Sequence, residues 1–331
     1  MAIHIRRREF IITLGGAAAW PLGVRAQQPA MPVIGFVNGA SSETSASQLA
    51  AFRQGLSEVG YVEGQNVTIA YHWLEGRYDR LPALMADLVR RRVAVIATPG
   101  STPAALAAKA ATATVPIVFG VGEDPEIMGL VASLARPGGN ATGINFFVSE
   151  VVAKRLGLLH ELLPKAVNIA VLLNPANTAT AEATLRDVQV AARVINAQIH
   201  FLNATTSSEI DGAFATLASE GADALFVAPD GYFTSRRVQF ATLAARRAMP
   251  AVYSTRQFAE VGGLMTYGTD LADMFHQAGT YTGKILKGEK PANLPVVQST
   301  KFEFVINLQT AKALAIDVPA TLLARADEVI E

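Results

Sequence analysis

From residue 31 onward, short apolar runs rich in β-branched residues alternate with longer stretches whose apolar positions recur every three or four residues. The first kind predicts strands and the second amphipathic helices. A first series gives strands at Val33–Val37, Val67–Trp73, Val93–Ala97, Pro116–Val121 and, shorter, Thr142–Phe146. Helices are expected over Thr44–Gly60, over a segment that Asp79 caps and Arg90-Arg91-Arg92 ends, and over the alanine-rich Ser101–Thr112. Gly60-Tyr61-Val62-Glu63-Gly64-Gln65-Asn66 reads as a turn.

A second series opens with a helix at Glu150–Leu163. Strands follow at Asn168–Leu173, Gln198–Leu202, Ala224–Val227 and Ala251–Tyr253. The helices between them are Thr180–Ile195, Ser207–Glu220 (capped by Ser207 or Ser208) and Thr234–Ala248. Strands separated by helices of this length imply right-handed crossovers and parallel sheets. The expected fold is α/β: two Rossmann-like lobes in tandem, each with a parallel sheet of about four strands, divided near Phe146–Glu150. A tail adds a strand-like run at Gly262–Tyr267, a helix at Leu271–Leu286, a strand at Phe302–Asn307 and a helix at Thr310–Ala315. If these extras join both sheets, the chain crosses between lobes more than once and makes a hinge. One lobe then holds residues 31–146 and about 256–286, and the other 147–255 and about 287–331.

Residues 1–26 break the pattern. Arg6, Arg7 and Arg8 precede an uncharged stretch from Ile11 to Val24, which ends at Val24-Arg25-Ala26. A basic start, a short apolar middle and a small-x-small exit describe a secretory signal. A membrane span needs about 20 apolar residues, and this run is shorter and broken by Gly15, Gly16 and Pro21. Arg7-Arg8-Glu9-Phe10-Ile11 has the form of a twin-arginine export signal. Cleavage after Ala26 is expected, placing the mature protein in the periplasm.

Composition narrows the function. Cysteine is absent, which excludes disulfides, thiolate metal sites, a catalytic thiol and a lipidated cysteine. The whole chain has 28 basic and 28 acidic residues; losing four arginines and Glu9 with the signal leaves 24 and 27, a net charge near −3. Neither nucleic acid nor an anionic membrane is indicated as a partner. With 50% hydrophobic and 17% charged residues, the strands are expected to be covered by helices on both faces.

Ligands of open parallel sheets bind outside the carboxyl ends of the strands, beside helix N-termini. The loops there are Asn38-Gly39-Ala40-Ser41-Ser42, Thr98-Pro99-Gly100-Ser101-Thr102, Gly122-Glu123-Asp124-Pro125, Asn174-Pro175-Ala176-Asn177, Ala228-Pro229-Asp230 and Ser254-Thr255-Arg256. Gly100, Ser101 and Thr102 form the best anion candidate, because a helix starting there offers free N–H groups; ordinary capping accounts for the same residues. Asp124 and Asp230 end strands in opposite lobes and suit a ligand ammonium or hydroxyl, or equally a turn beside proline. Tyr253 and Tyr267 end late strands, where a ring stacks on a ligand or fills the core. No Gly-x-x-x-x-Gly-Lys, Gly-x-Gly-x-x-Gly, Gly-x-Ser-x-Gly or His-Glu-x-x-His occurs at a matching place. The scattered histidines (His4, His72, His160, His200, His276) avoid the strand-end loops. No catalytic residue, metal ligand or cofactor is therefore assigned.

Several blocks carry a resemblance. They are Ala51-Phe52-Arg53-Gln54-Gly55-Leu56, Gly60-Tyr61-Val62-Glu63-Gly64-Gln65-Asn66-Val67, Arg80-Leu81-Pro82-Ala83-Leu84 and Ala135-Arg136-Pro137-Gly138-Gly139-Asn140-Ala141-Thr142-Gly143. Gly262-Gly263-Leu264-Met265 with Tyr267-Gly268, and Leu322-Leu323-Ala324-Arg325-Ala326-Asp327-Glu328, continue them. In this order they resemble the ABC-transporter substrate-binding proteins of the tryptophan/tyrosine type, over essentially the whole mature chain. The resemblance implies the type I periplasmic-binding-protein fold, hinged closure on a small solute, and delivery to an inner-membrane ABC permease, with a monomer as the default. Some members bind aromatic amino acids. Asp124-Pro125-Glu126-Ile127-Met128-Gly129-Leu130-Val131 keeps the family's frame, while Glu123 and Glu126 add acidity; either in the cleft would count against a simple aromatic amino acid. Ser41, Ser42, Asn174 and Asn177 fit polar contacts to such a ligand. The rival expectations are a sensor for a membrane kinase and an exported α/β hydrolase.

Overall fold

The computed structural model describes residues 31–146 and 148–331; the expectations for residues 1–26 lie outside them. The first series folds as β1 (Val33–Asn38), α1 (Ala46–Glu58), β2 (Thr68–Trp73), α2 (Leu81–Arg90), β3 (Val95–Thr98), α3 (Thr102–Ala111), β4 (Ile117–Val121) and β5 (Ala141–Asn145). The second runs α4 (Val148–Leu162), β6 (Asn168–Leu173), α5 (Thr178–Val194), β7 (Gln198–Asn203), α6 (Ser207–Glu220) and β8 (Ala224–Val227). It continues with α7 (Gly231–Ser235), α8 (Arg237–Arg246), β9 (Ala251–Tyr253), α9 (Arg256–Glu260) and β10 (Met265–Thr269). The tail adds α10 (Leu271–Leu286), β11 (Val297–Gln298), β12 (Phe302–Asn307), α11 (Leu308–Ala313), α12 (Ala320–Leu323) and β13 (Glu328–Ile330).

Two sheets result, in the orders β11-β5-β4-β3-β1-β2 and β13-β12-β10-β9-β8-β6-β7. They have six and seven strands, more than the expected four, because the tail and short strands extend both. Among the described residues the strands of both sheets pair in parallel except β10 with β12. The central strands β3, β4 and β8 are buried at every residue, as strands covered on both faces must be. Among the described residues no helix is long and apolar enough to cross a membrane.

The lobe boundaries differ from the expectation. β10 pairs with β9 and β12, so residues 256–269 belong with the second sheet. β11 pairs with β5, so the stretch before Ser299 returns to the first. The chain thus passes between sheets three times: after Asn145, after Thr269 and after Ser299. These passages are tied side by side. Ser299 N donates to Asn145 O (2.8 Å), Asp270 N to Lys301 O (3.0 Å), and Thr269 Oγ1 to Phe146 O (3.0 Å).

Two helix starts also differ. Tyr78–Arg80 forms a 3-10 turn that runs directly into α2, so Asp79 lies within that turn and caps nothing. Thr206, not Ser207 or Ser208, caps α6, in a reciprocal box with Glu209.

α1 and α10 cross with their backbones in contact. A Cβ at Gly55 would lie 2.0 Å from His276 O, and one at Gly279 would lie 2.0 Å from Phe52 O. Alanine normally improves a helix interior over glycine by about 1 kcal/mol. Here overpacking wins: Gly55→Ala is expected to destabilise by about 1–3 kcal/mol, read as a lower urea midpoint. An unchanged or raised midpoint would contradict the contact.

Candidate functional site

The carboxyl ends of both sheets face one cavity. It leaves about 100 Å³ open to the centre of a water molecule. A single water needs only about 10–15 Å³ by that measure, so the space takes a small organic solute. The first lobe supplies Asn38 after β1, Gly100 and Thr102 after β3, Glu123 after β4, and Gln48 from α1. The second supplies Asn177, Asp230, Ser254 and Arg155. Phe146, Thr269, Leu271 and Phe275 close the hinge end.

Of the residues expected from sequence, Asn38, Gly100, Thr102, Asn177 and Asp230 line this cavity, and the other seven do not. Asn38 is buried, and its amide is used within the protein: Nδ2 donates to Pro99 O (2.7 Å) and Oδ1 accepts from Ala40 N (2.8 Å). It fixes the first two loops against each other. Ser41 bonds Thr44, and Ser42 is exposed ahead of a 3-10 turn. Ser101 sits at the cap position of α3 without capping it; its Oγ is buried without a partner. Thr102 Oγ1 donates to Glu123 Oε2 (2.6 Å), so the anion beside this helix start is the protein's own carboxylate.

Asp124 is exposed. Its Oδ1 accepts the N–H groups of Glu126 and Ile127, a local turn role. The neighbouring Glu123 turns inward instead, 9% exposed, and its Oε1 has no protein partner. Tyr253 is fully buried and stacked on Phe258, and burial pushes its hydroxyl pKa up. Tyr267 stacks on Phe302 and packs on the second lobe's core. Neither tyrosine lines the cavity.

Asp230 is the most heavily bonded side chain at the site. Oδ1 accepts from Asn174 Nδ2 (3.0 Å), Tyr232 N (3.0 Å) and Phe233 N (3.2 Å). Oδ2 accepts from Asn177 Nδ2 (3.0 Å) and from Tyr78 Oη (3.2 Å). Burial raises its pKa, and these donors pull it back. Asn174 therefore stands behind Asp230 rather than at the cavity. The Tyr78 bond joins the two lobes, and its hydroxyl pKa is raised by burial beside that carboxylate. Nearby, a Cβ at Gly231 would meet Ala40 N and Gly39 C at 3.1 Å, so only glycine lets the loops approach this closely. α3 also packs across the cleft on α5. The cleft is shut.

Arg155 went unrecognised in the sequence, although its position carries a signal. It lies on the same stripe of α4 as Val152, Leu156 and Leu159, all buried. Its side chain is 1% exposed and lines the cavity. Nε donates to Tyr267 O (2.9 Å), Nη1 reaches Val227 O (3.5 Å), and the guanidinium lies 5.0 Å from the Phe226 ring centre. No carboxylate pairs with it among the described residues. Burial pulls its pKa down to about 9.

Two lobes, three joined crossings and a cavity lined by both lobes define the type I periplasmic-binding-protein fold. The profile of the family described as "ABC transporter substrate binding protein" matches residues 31–330, and the chain belongs to that family. A "Tyrosine-binding protein" of Clostridioides difficile (strain R20291) is 29% identical over 265 residues, 80% of this chain and 75% of that protein. An ABC domain from Streptococcus pneumonia, solved in complex with L-Trp, overlays with TM-score 0.81 at 25% identity, covering 90% of this chain and 99% of that one. The ligand-free, open structure of a Clostridium difficile substrate binding protein with adhesive properties reaches 0.62 at 24% identity, covering 91% and 99%.

Proposed function

We propose that this chain is an extracytoplasmic receptor that captures a small organic solute between its lobes and delivers it to an ABC import permease. The solute is an amino acid, aromatic ones included, or an aromatic carboxylate. The observation that carries this reading is the shut cavity at the carboxyl ends of both sheets, closed by a hydrogen bond from one lobe to the other. The relatives' named ligands, tyrosine and L-Trp, support the ligand class. The export signal over residues 1–26 supports a periplasmic location. Ligand docks on one open lobe, and closure follows to the extent that the ligand prefers the closed state. The permease reads that closed form. The receptor works as a monomer and performs no chemistry.

The test is uptake of labelled tyrosine and tryptophan at limiting concentration in the native host with and without the gene, alongside cell fractionation. Loss of uptake with a periplasmic protein is expected. Unchanged uptake of every solute tried, or a cytoplasmic protein, would sink the reading.

Tyr78→Phe removes only the hydroxyl that bridges the lobes. A hydrogen bond to a charged group contributes about 1.5–3 kcal/mol. Apparent affinity scales with the fraction of competent, closed protein. A roughly tenfold weaker Kd by calorimetry is expected. An unchanged Kd would reduce the bond to packing.

A further inference from the structure

Two opposite charges line the cavity and neither is neutralised. Arg155 is buried, and only two of its N–H groups find protein acceptors, both backbone carbonyls. Among the described residues its Nη2 has no hydrogen-bond partner. Glu123 is buried, with Oε2 held by Thr102 and Oε1 left without a donor. The two do not pair with each other, since neither takes part in an ion pair among the described residues. A second acceptor, Asn177 Oδ1, is likewise buried without a partner on the opposite wall. Asp230 cannot serve as the acidic pole, because five donors already occupy both of its oxygens.

Buried charges in proteins are paired or hydrogen-bonded, and orphaned buried acceptors are rare. A cavity with one unpaired guanidinium and one under-bonded carboxylate is complementary to a solute that carries both a carboxylate and an ammonium. We infer that the cavity is built for a zwitterion: Arg155 receives the carboxylate of an α-amino acid, and Glu123, with Asn177 Oδ1, receives its ammonium. This rests on the receptor reading above and selects the amino acid over the aromatic carboxylate. Glu123 in the cavity thereby reads as the partner of the ligand's backbone ammonium. It does not count against an aromatic side chain.

The experiment crosses ligand chemistry with protein chemistry. The twenty L-α-amino acids are titrated singly into the purified protein by calorimetry, together with tyramine, which lacks the carboxylate, and 3-(4-hydroxyphenyl)propionate, which lacks the ammonium. Tryptamine and indole-3-propionate repeat the comparison for tryptophan. At least one amino acid is expected to bind, and the aromatic analogues to bind on the order of 100-fold more weakly than their parent amino acids, or not at all. Glu123→Gln keeps the shape and the Thr102 contact. It is expected to weaken the amino acid by on the order of 100-fold while leaving the already weak propionate unchanged. Arg155→Lys keeps the charge but loses the fork, and is expected to weaken the amino acid while sparing the amine.

Equal binding of an amino acid and its deaminated analogue, or amino acid binding indifferent to Glu123→Gln, would overturn the zwitterion and leave the receptor reading standing. So would a neutral solute that copurifies with the native protein and is identified by mass spectrometry, when none of the twenty amino acids binds. Absence of binding across the panel with nothing copurified would count against both.

Discussion

Replacing Arg155 by methionine is expected to leave the unliganded protein at least as stable as the parent while abolishing capture of its amino acid. The two effects point in opposite directions because the same charge acts in both states. In the empty protein the guanidinium is buried without a counter-ion. Burial pulls its pKa down from the ordinary guanidinium range to about 9. At about 1.4 kcal/mol per unit, that corresponds to a penalty on the order of 5 kcal/mol on the charged form. Methionine loses two carbonyl contacts, one of them long, together worth roughly 2–3 kcal/mol. It fills the space beside Phe226 with a flexible apolar chain suited to a ring neighbour. Desolvation is the larger quantity, so the net change is expected between zero and a gain of about 3 kcal/mol. With ligand present the balance reverses. A buried carboxylate left without its partner costs about 2–5 kcal/mol, which is on the order of 30-fold to several thousand-fold in Kd.

The pH dependence separates this from ordinary repacking. Above about pH 9 the folded chain gives up the Arg155 proton while the unfolded chain, whose guanidinium keeps its ordinary high pKa, still holds it. The unfolded state then binds more protons, so this group makes the parent's stability rise with pH across that window. The advantage of Arg155→Met is therefore full below about pH 9 and shrinks above it. Urea unfolding of both proteins at pH 7, 9 and 10 reads that difference, and shared effects of other titrating groups cancel. A variant destabilised by 2 kcal/mol or more at pH 7 (roughly the two lost bonds) would mean that Arg155 serves the fold. Retained affinity would mean that it does not meet the ligand.

The fold was legible because periodicity reports burial. β6, β8, β9 and β12 fall at their predicted bounds, and the first three are apolar runs between helices. The edges were less legible. β11 and β13 have two and three residues and exist through pairing, not pattern. The lobe boundaries differ because pairing alone decides which sheet β10 joins and that β11 returns to the first. Strand-end loops were the right place to look for the site. Which residue of a loop turns inward was not legible: Asp124 stood out beside proline, but its short side chain closes its own turn, and Glu123 one position earlier enters the cavity. Arg155 lies outside the strand-end loops, on helix α4. A cation on the apolar stripe of α4 breaks the pattern of that helix, and such a break marks either a buried pair or a ligand partner.

Asp230→Ala is expected to be the most damaging single change at the cleft, and Asp230→Asn far milder. Alanine strips the acceptor from five buried or half-buried donors at once: two backbone N–H groups, two asparagine amides and one tyrosine hydroxyl. Each unsatisfied buried group costs about 1–3 kcal/mol, and two of the five are the N–H groups by which Asp230 caps α7. Even with partial relaxation, a loss of at least about 4 kcal/mol is expected. That is a large share of a total stability on the order of 5–15 kcal/mol. Asparagine can be accommodated. Its oxygen takes the Oδ1 place and keeps three donors. Its amide takes the Oδ2 place, where Asn177 can turn its unpartnered Oδ1 toward it and Tyr78 can accept through its hydroxyl. The charge is lost but the acceptor geometry largely survives, so a cost of about 1–2 kcal/mol is expected. Urea midpoints of the two variants decide between these accounts. If alanine falls within about 1 kcal/mol of the parent (the value of a single bond), the five-donor knot contributes little and the lobes are held shut elsewhere. If asparagine is as damaging as alanine, the negative charge itself holds the five donors together, and neutral acceptor geometry does not replace it.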